Sequence, residues 1–404
     1  MKILLLHNYY TQRGGEDVVF EAEKKLLTQK GHEVETLTFQ NQKLKNLSQK
    51  LKTSFTSIYN CHSAKLLAQK IDEFQPQLLH VHNFWKEASP AVYYTAKHKN
   101  IPVVQTLHNF RLICANALLL RQNQPCELCV KKILPLSAIR YGCYENRFIS
   151  AQITFLSSIH KVLGTWKNLV SHYITLTEFA KRKFLNSSLN LQENQISVKP
   201  NFVEDRGWIG GEGRENFFLY VGRLSAEKGI QTLLEATKFH KFRLEIIGGG
   251  ELEYLVREYS HFNSNIVYQG FCQQDFILEK LKKSKALIFP SVWYEGLPLT
   301  LLESFSTGTP IIISDLDNLN NLVINCFNGL HFQTGNSQDL AQKIAYFEKN
   351  HDFLWYENAR KTYEQNYTPE ISYQKLLAIY QRILGYTSFH LPEQGNLSDF
   401  LLEE

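Results

Sequence analysis

No stretch of this sequence approaches the roughly 18–20 consecutive apolar residues that a membrane-spanning helix needs. A secretory signal is also lacking: the apolar core Ile3-Leu4-Leu5-Leu6 is too short, and no small-residue cleavage site follows it. The opening run therefore reads as a first buried strand, and a cytoplasmic location is expected. No basic stripe interleaved with aromatics appears, which argues against nucleic acid as a partner. Internal repeats and low-complexity runs are missing too. So is the G-x-G-x-x-G fingerprint, which disfavours a simple nicotinamide-dinucleotide enzyme. No Asp-x-Asp motif is read as ready to hold a divalent metal.

At 404 residues the chain exceeds what one ordinary core encloses, so two domains are expected. With 44% hydrophobic and 21% charged residues, its composition is that of a globular protein. The net charge of +5 is unevenly spread. Residues 1–200 hold 26 Lys+Arg against 13 Asp+Glu, a net +13; the remainder holds 18 against 26, a net −8. A basic first half suits an anionic partner, or is simply a solvated charged surface.

After Ile3-Leu4-Leu5-Leu6 comes a loop ending in Arg13-Gly14-Gly15, and then Val18, Val19, Ala22, Leu26 and Leu27 at helical spacing. A Gly-Gly loop lets a ligand approach the backbone, and the helix N-terminus behind it attracts negative charge. An ordinary βα turn would look the same. Apolar runs at 34–39, 78–82, 103–107 and 173–177 alternate with helical patterns such as 66–74 and 89–97. That alternation predicts a doubly wound α/β domain. It puts His82-Asn83 and His108-Asn109 at strand carboxyl ends, the edge where open α/β sheets hold ligands. His82 reads as structural. Residues 41–57 read as a Lys-rich loop or loose helix, 207–213 as a glycine-rich linker, and the tail from 386 as loose. A single closing helix is expected over 363–384.

The most informative stretch is Trp293-Tyr294-Glu295-Gly296-Leu297-Pro298-Leu299-Thr300-Leu301-Leu302-Glu303. It follows the buried-strand run 286–290 and precedes Ser304-Phe305-Ser306-Thr307-Gly308-Thr309-Pro310 and a second run, Ile311-Ile312-Ile313. The order is strand, loop, helix, strand. Free amides from Gly296 onward make an anion site, and two carboxylates beside it suit a ligand with both phosphates and hydroxyls. A nucleotide sugar is such a ligand.

Glu295 and Glu303, seven residues apart around a Gly-Leu-Pro core, resemble the E-x7-E signature of glycosyltransferase family 4. Gly222-Arg223-Leu224 with Lys228-Gly229 resembles that family's Gly-Arg-Leu…Lys-Gly motif. Thr106-Leu107-His108-Asn109 resembles its strand-end Thr-x-His-Asp, with Asn109 in place of the acid, and Pro200-Asn201-Phe202-Val203 resembles its interdomain Pro-Asn-Gly-Val. The resemblance spans most of the chain. It implies a GT-B fold: two Rossmann-like doubly wound domains facing each other across a cleft. The expected acceptor domain is 1–204, the donor domain 205–365, and 366–404 a helix crossing back to the first domain plus the tail. It further implies a retaining, metal-independent transferase that moves a sugar from a nucleoside-diphosphate donor such as a UDP-sugar. The acceptor would be a glycan or a lipid-linked saccharide in cell-surface polysaccharide synthesis. Arg223 and Lys228 would meet the diphosphate. Glu295, with the amides of Gly296 and Leu297, would hold the transferred sugar, His108 would contact it, and Glu303 would accept from the ribose. Gly14, Gly15, Gly248 and Gly249 would border the donor. A GT-B epimerase or phosphorylase and a non-catalytic sugar-binding protein are the alternatives.

Two features fall outside that resemblance. Cys114, Cys126, Cys129 and Cys143 lie in a loop, 110–144, with few helix or strand signals. They suggest a four-thiolate structural zinc knot, or free thiols packed in the loop. The pattern over 148–166 is a helix with Lys161 as its one full charge. It reads as a buried interdomain helix or as one lying at a membrane surface, where the basic half would make peripheral contact with anionic lipid.

Overall fold

The computed structural model describes residues 1–11, 14–41, 57–122 and 124–386. The expectations for residues 42–56 and 387–404, and for Arg13 in the glycine loop, lie outside them.

The first sheet holds β1 (Lys2–Tyr9), β2 (Glu33–Gln40), β3 (Leu78–Val81) and β4 (Val103–Leu107). A two-residue hairpin, β5 (Leu120–Arg121) with β6 (Gln124–Pro125), interrupts the series before β7 (His172–Thr175) and β8 (Ile196–Val198) complete it. Every pair in the order β2-β1-β3-β4-β7-β8 is parallel. The second sheet holds β9 (Phe218–Val221), β10 (Leu244–Ile247), β11 (Ile266–Gly270), β12 (Ala286–Phe289), β13 (Ile311–Ser314) and β14 (Gly329–Phe332). Its order is β11-β10-β9-β12-β13-β14, again parallel throughout.

Parallel strands are covered by helices on both faces, so they must be apolar on both. In β1, Leu4 and Leu6 enter one core and Ile3 and Leu5 the opposite one. In the second domain Leu287, Ile311 and Ile313 face one layer while Ile288 and Ile312 face the other. The period-2 pleat sorts an unbroken apolar run into two cores.

Each strand order reverses direction once. In the first sheet chain order turns between β1 and β3; in the second, between β9 and β12. Connections leave in opposite directions there and open a crevice at the strands' carboxyl ends, where α/β sheets take ligands. His7 and Asn8 sit near the end of β1, His82 and Asn83 directly after β3, Gly222 and Arg223 after β9, and the glutamate loop after β12.

Three expectations are corrected. The segment 207–213 is fastened to the second domain rather than free. The Arg214 guanidinium donates to the carbonyls of Gly210, Ser284, Thr307 and Gly308 and to Thr309 Oγ1. The closing helix is two helices, Phe353–Asn366 and Pro369–Ile383. Pro369 brings no amide, and Thr368 Oγ1 caps the new helix by accepting from the Ile371 amide at 3.3 Å. This last helix lies on the first domain, where Leu376, Ile379 and Tyr380 share a core with Ile3, Leu5 and Phe20. The helix Arg147–Val162 is not an interdomain element. Ile153 and Leu156 pack into the first domain's own core, and the opposite face is exposed. Among the described residues no helix is long and apolar enough to cross a membrane.

One buried ion pair joins the crossing helix to the first domain. Lys199, just after β8, donates to Glu23 Oε2 at 2.7 Å and to Ser372 Oγ at 3.2 Å, and both charged side chains are 1% exposed. Removing one partner strands the other charge in the interior. Lys199→Met should cost about 3–5 kcal/mol of unfolding free energy in urea titrations. Adding Glu23→Gln should recover part of that loss; a Lys199→Met variant as stable as wild type would refute the pair's role.

Candidate active site

The first-domain half of the site is a chain of side chains behind His108. Glu23, on the helix Gly15–Gln29, lies between His80, His82 and Lys199. His82 Nε2 is 3.1 Å from Glu23 Oε1, and His80 Nδ1 is at the same distance. Burial alone would raise this carboxyl's pKa, but Lys199, His80 and His82 overturn that and hold it well below the usual range. An ionised Glu23 can only accept, so His82 Nε2 keeps its hydrogen and donates it to Oε1. His82 Nδ1 is then an acceptor, and it lies 3.1 Å from His108 Nε2, which therefore carries the hydrogen. His108 is left with Nδ1 as a free lone pair, with no partner among the described residues. Burial pushes His82 down to about 4 and His108 well below its ordinary value, so both rings are neutral at pH 7. His82, read from the sequence as structural, is buried and sets the tautomer of His108.

In front of this chain stand residues that the sequence reading missed. His7 Nε2 donates to Asp17 Oδ1 at 2.7 Å, and the Gly14 amide donates to Asp17 Oδ2 at 2.8 Å. Glu16 accepts from Asn83 Nδ2 at 2.8 Å and from Asn109 Nδ2 at 3.3 Å. Burial first, and the charge of Asp17 second, push Glu16 up to about 8 against the pull of Arg111. Asn109 thus holds a carboxyl group rather than supplying one. The signal available was Glu16-Asp17 directly after Gly14-Gly15. Side chains added at either glycine would meet nothing within 4 Å, so the loop backbone is open to a ligand. The groupings Glu23, His80, His82 and His7, Glu16, Asp17 are compact enough to hold a cation. In the first, the Lys199 ammonium already supplies the positive charge.

The second-domain half centres on Glu295. Its Oε1 accepts from Lys228 Nζ at 2.6 Å, Ser291 Oγ at 2.8 Å and Trp293 Nε1 at 2.9 Å, while Oε2 has no partner among the described residues. Asn318 Nδ2 donates to its backbone carbonyl at 2.6 Å. Arg223 is exposed and paired with Glu227 and Ser225. The helix Leu299–Ser306 has no side-chain cap, which leaves its first amides for an anion. Glu303 on that helix is half-buried and accepts from Gln274 Nε2 at 2.6 Å; burial raises its pKa and Arg206 opposes the rise. Gly248 has a φ of +142°, and a Cβ there would lie 1.9 Å from the Gly222 carbonyl oxygen. The turns after β9 and β10 can approach only because that position is glycine.

The two halves touch. A Cβ on Gly296 would lie 3.0 Å from the His108 carbonyl oxygen, Asn201 Nδ2 donates to the Leu297 carbonyl at 3.1 Å, and the rings of Tyr294 and Phe179 are 4.7 Å apart. The structure therefore brings Gly296 up to the His108 backbone, with Glu295 and its partner Lys228 on one side of it and Leu297, held by Asn201, on the other. Arg223, Gly248, Gly249 and Glu303 border the same second-domain edge, and Gly14 and Gly15 lie on the first-domain side.

The four loop cysteines are thiols close enough to influence one another. Burial first, and then the other three thiols, push Cys143 up to about 11. Among the described residues no three of their sulfurs meet the 4.8 Å mutual spacing of a metal-sized cluster. Contrary to expectation, the spacing Asp-x-Asp does occur, at Asp315 and Asp317 after β13. Both are exposed and belong to no such cluster.

Residues 204–368 match the family model of glycosyl transferases group 1. The chain is 25% identical over 241 residues to the O-antigen chain mannosyltransferase C of Escherichia coli, covering 58% of this chain and 63% of that one. It is 26% identical over 239 residues to the N,N'-diacetylbacillosaminyl-diphospho-undecaprenol alpha-1,3-N-acetylgalactosaminyltransferase of Campylobacter jejuni, covering 53% and 61%. The chain spans about half to three-fifths of the length of the curated relatives it matches. Among solved structures, Anabaena Alr3699/HepE in complex with UDP superposes with a TM-score of 0.65 at 15% identity, over 95% of this chain and all of that one. The two chains share a fold, two parallel-sheet α/β domains in the GT-B arrangement.

Glu16 gives the site a pH signature. The folded carboxyl keeps its proton to about pH 8, whereas the unfolded one loses it near its ordinary value of 4.5. Between those limits the folded state binds the extra proton, so this group makes stability fall as pH rises from about 5 to about 8. Glu16→Gln removes that slope. In thermal melts, the variant's Tm should gain on wild type steadily from pH 5 to pH 8; parallel curves would contradict the burial of an ionisable Glu16.

Proposed function

We propose that the chain is a retaining, metal-independent glycosyltransferase of family 4. It would move a sugar from a nucleoside-diphosphate donor, with a UDP-sugar the first to test, to a glycan or lipid-linked acceptor in cell-surface polysaccharide synthesis. The observation that carries this reading is the Lys228–Glu295 pair at the second sheet's switch point, next to Gly296, which packs against the His108 carbonyl. The donor's anomeric C–O bond breaks and the diphosphate gains charge. Lys228, Arg223 and the first amides of Leu299–Ser306 would take up that charge. Glu295 Oε2 and His108 Nδ1, both acceptors, would bind hydroxyls of the transferred sugar, and Glu303 would exchange Gln274 for the ribose. The acceptor oxygen forms the new bond on the face the diphosphate leaves, and its proton passes to the leaving phosphate. No protein nucleophile is assigned. The domain limits 1–204, 205–365 and 366–404 belong to the same reading.

The relatives named above act on an O-antigen chain and on a diphospho-undecaprenol-linked sugar by their names. That supports a lipid-linked acceptor here, with peripheral contact at the inner face of the cytoplasmic membrane. For the cysteines, four thiols suit structural zinc chemically, but the sulfurs would have to close up to share an ion. Protein purified without chelator should then hold about one zinc per chain by elemental analysis; metal-free protein leaves them as packed thiols.

The deciding experiment is a nucleotide-sugar panel scored by transfer to an added acceptor. Epimerised donor or phosphate-dependent cleavage would point instead to the other GT-B chemistries, and binding without turnover to a sugar-binding protein. With the active donor, Arg223→Ala should lower kcat on the order of 10²-fold with an unchanged Tm, because the side chain is exposed. Lys228→Ala should lower it at least as much, and EDTA should not inhibit. Turnover within about twofold of wild type in both variants would exclude the cation clamp.

A further inference from the structure

The helix Arg147–Val162 is apolar on two sides. One side is buried, through Ile153, Leu156 and the polar residues Ser150, Ser158 and His160. On the other, Phe148, Phe155, Ile159 and Val162 are 56%, 50%, 40% and 75% exposed. Their spacing of seven, four and three residues places them in one stripe along the helix. A surface helix ordinarily carries charge there, and this stripe carries none.

The stripe is not isolated. Ile133, Leu134, Leu136 and Tyr141 are exposed in the neighbouring segment. Ser158 Oγ donates to the Ile133 carbonyl at 2.8 Å and Lys161 Nζ to the Lys132 carbonyl at 3.1 Å, so the two segments form one surface. From 131 to 168 the sequence holds six basic residues, Lys131, Lys132, Arg140, Arg147, Lys161 and Lys167, against the single acid Glu145. Beside this surface opens a cleft of about 720 Å³ that reaches Asp317 of the second domain. Its charged lining is Lys131, Lys132, Arg182 and Lys183 against Glu127 and Asp317. Only Lys183 of these four cations is paired with a carboxylate among the described residues.

We propose that this face docks on an anionic lipid bilayer, with the apolar stripe entering the headgroup boundary and the basic residues meeting lipid phosphates. Charge decides between occupants. A second copy of the chain would bring the same basic rim against itself, whereas an anionic surface complements it. The cleft then opens at the bilayer's edge, where the charged headgroup of a lipid-linked acceptor would stand. That last point rests on the proposed transferase reading; the docking face does not.

The test is flotation of the full chain with phosphatidylcholine vesicles, with and without phosphatidylglycerol, and without donor or acceptor. Wild type should float with the phosphatidylglycerol vesicles at low salt and return to the soluble fraction as salt rises. Phe155→Ser with Val162→Ser, both solvent-exposed, should lower binding about tenfold or more while leaving Tm and turnover on a soluble acceptor unchanged. A protein that stays soluble with both vesicles at low salt overturns the proposal. So does a wild-type dimer in sedimentation that the double variant converts to monomer, since a second copy would then cover the stripe. Loss of the transferase reading would appear in the nucleotide-sugar panel alone and leave flotation unaffected.

Discussion

A carboxylate buried without water must have its charge answered by its neighbours, and Glu23 organises the first domain on that condition. Four elements supply the answer: Lys199 after β8, His80 in β3, His82 after it, and Ser372 of the last helix through Lys199. His80 also lies 2.6 Å from Tyr380 of that helix. The same charge fixes a proton on His82 and so leaves His108 Nδ1 as an acceptor. One buried charge thus ties the crossing helix down and orients the ring at the cleft.

The second domain repeats the logic closer to solvent. Glu295 is held on one oxygen by three donors, Lys228 among them, and only the other oxygen remains for a ligand. Its position comes from backbone geometry. Gly229 has a φ of +70°, and a Cβ there would lie 1.8 Å from the Pro290 carbonyl oxygen. The turn that carries Lys228 can therefore press against the end of β12, and a side chain at 229 would push the two apart. Lys228 and Glu295 are 67 residues apart in sequence and meet because β9 and β12 are neighbours at the switch point.

The insertion between β4 and β7 is built on different terms. Cys114, Cys129 and the short helix's Ala138 pack on one side into the first domain's core, and the insertion's other side presents apolar groups among cations. Burial satisfies only half of the helix Arg147–Val162. The helix has one apolar face buried in the first domain's core and a second apolar face exposed, so an apolar composition alone did not tell which surface it covers.

Much of this was legible in the chain. Unbroken apolar runs such as Ile3-Leu4-Leu5-Leu6 and Ile311-Ile312-Ile313 determine buried parallel strands, because both faces of such a strand must be covered. The stretch from Glu295 to Glu303 after one of those runs determines a loop and a helix start, and hence where uncapped amides stand at the sheet edge. What the sequence could not determine is which distant groups share a charge. Glu23 and Lys199 look like ordinary surface residues on a helix and at a strand end, and Glu16 like a residue of a solvated first turn. Pro369 marks a break that the reading of a single closing helix passed over, and nothing in the chain showed that the helix beyond it would lend Ser372 and Tyr380 to a network in the other domain. The glycine-rich segment 207–213 gave no hint that Arg214 would bond the Gly210 carbonyl on one side and carbonyls of the second domain on the other. These outcomes depend on desolvation and on contacts between residues far apart in the chain, and only the packed tertiary structure sets either one.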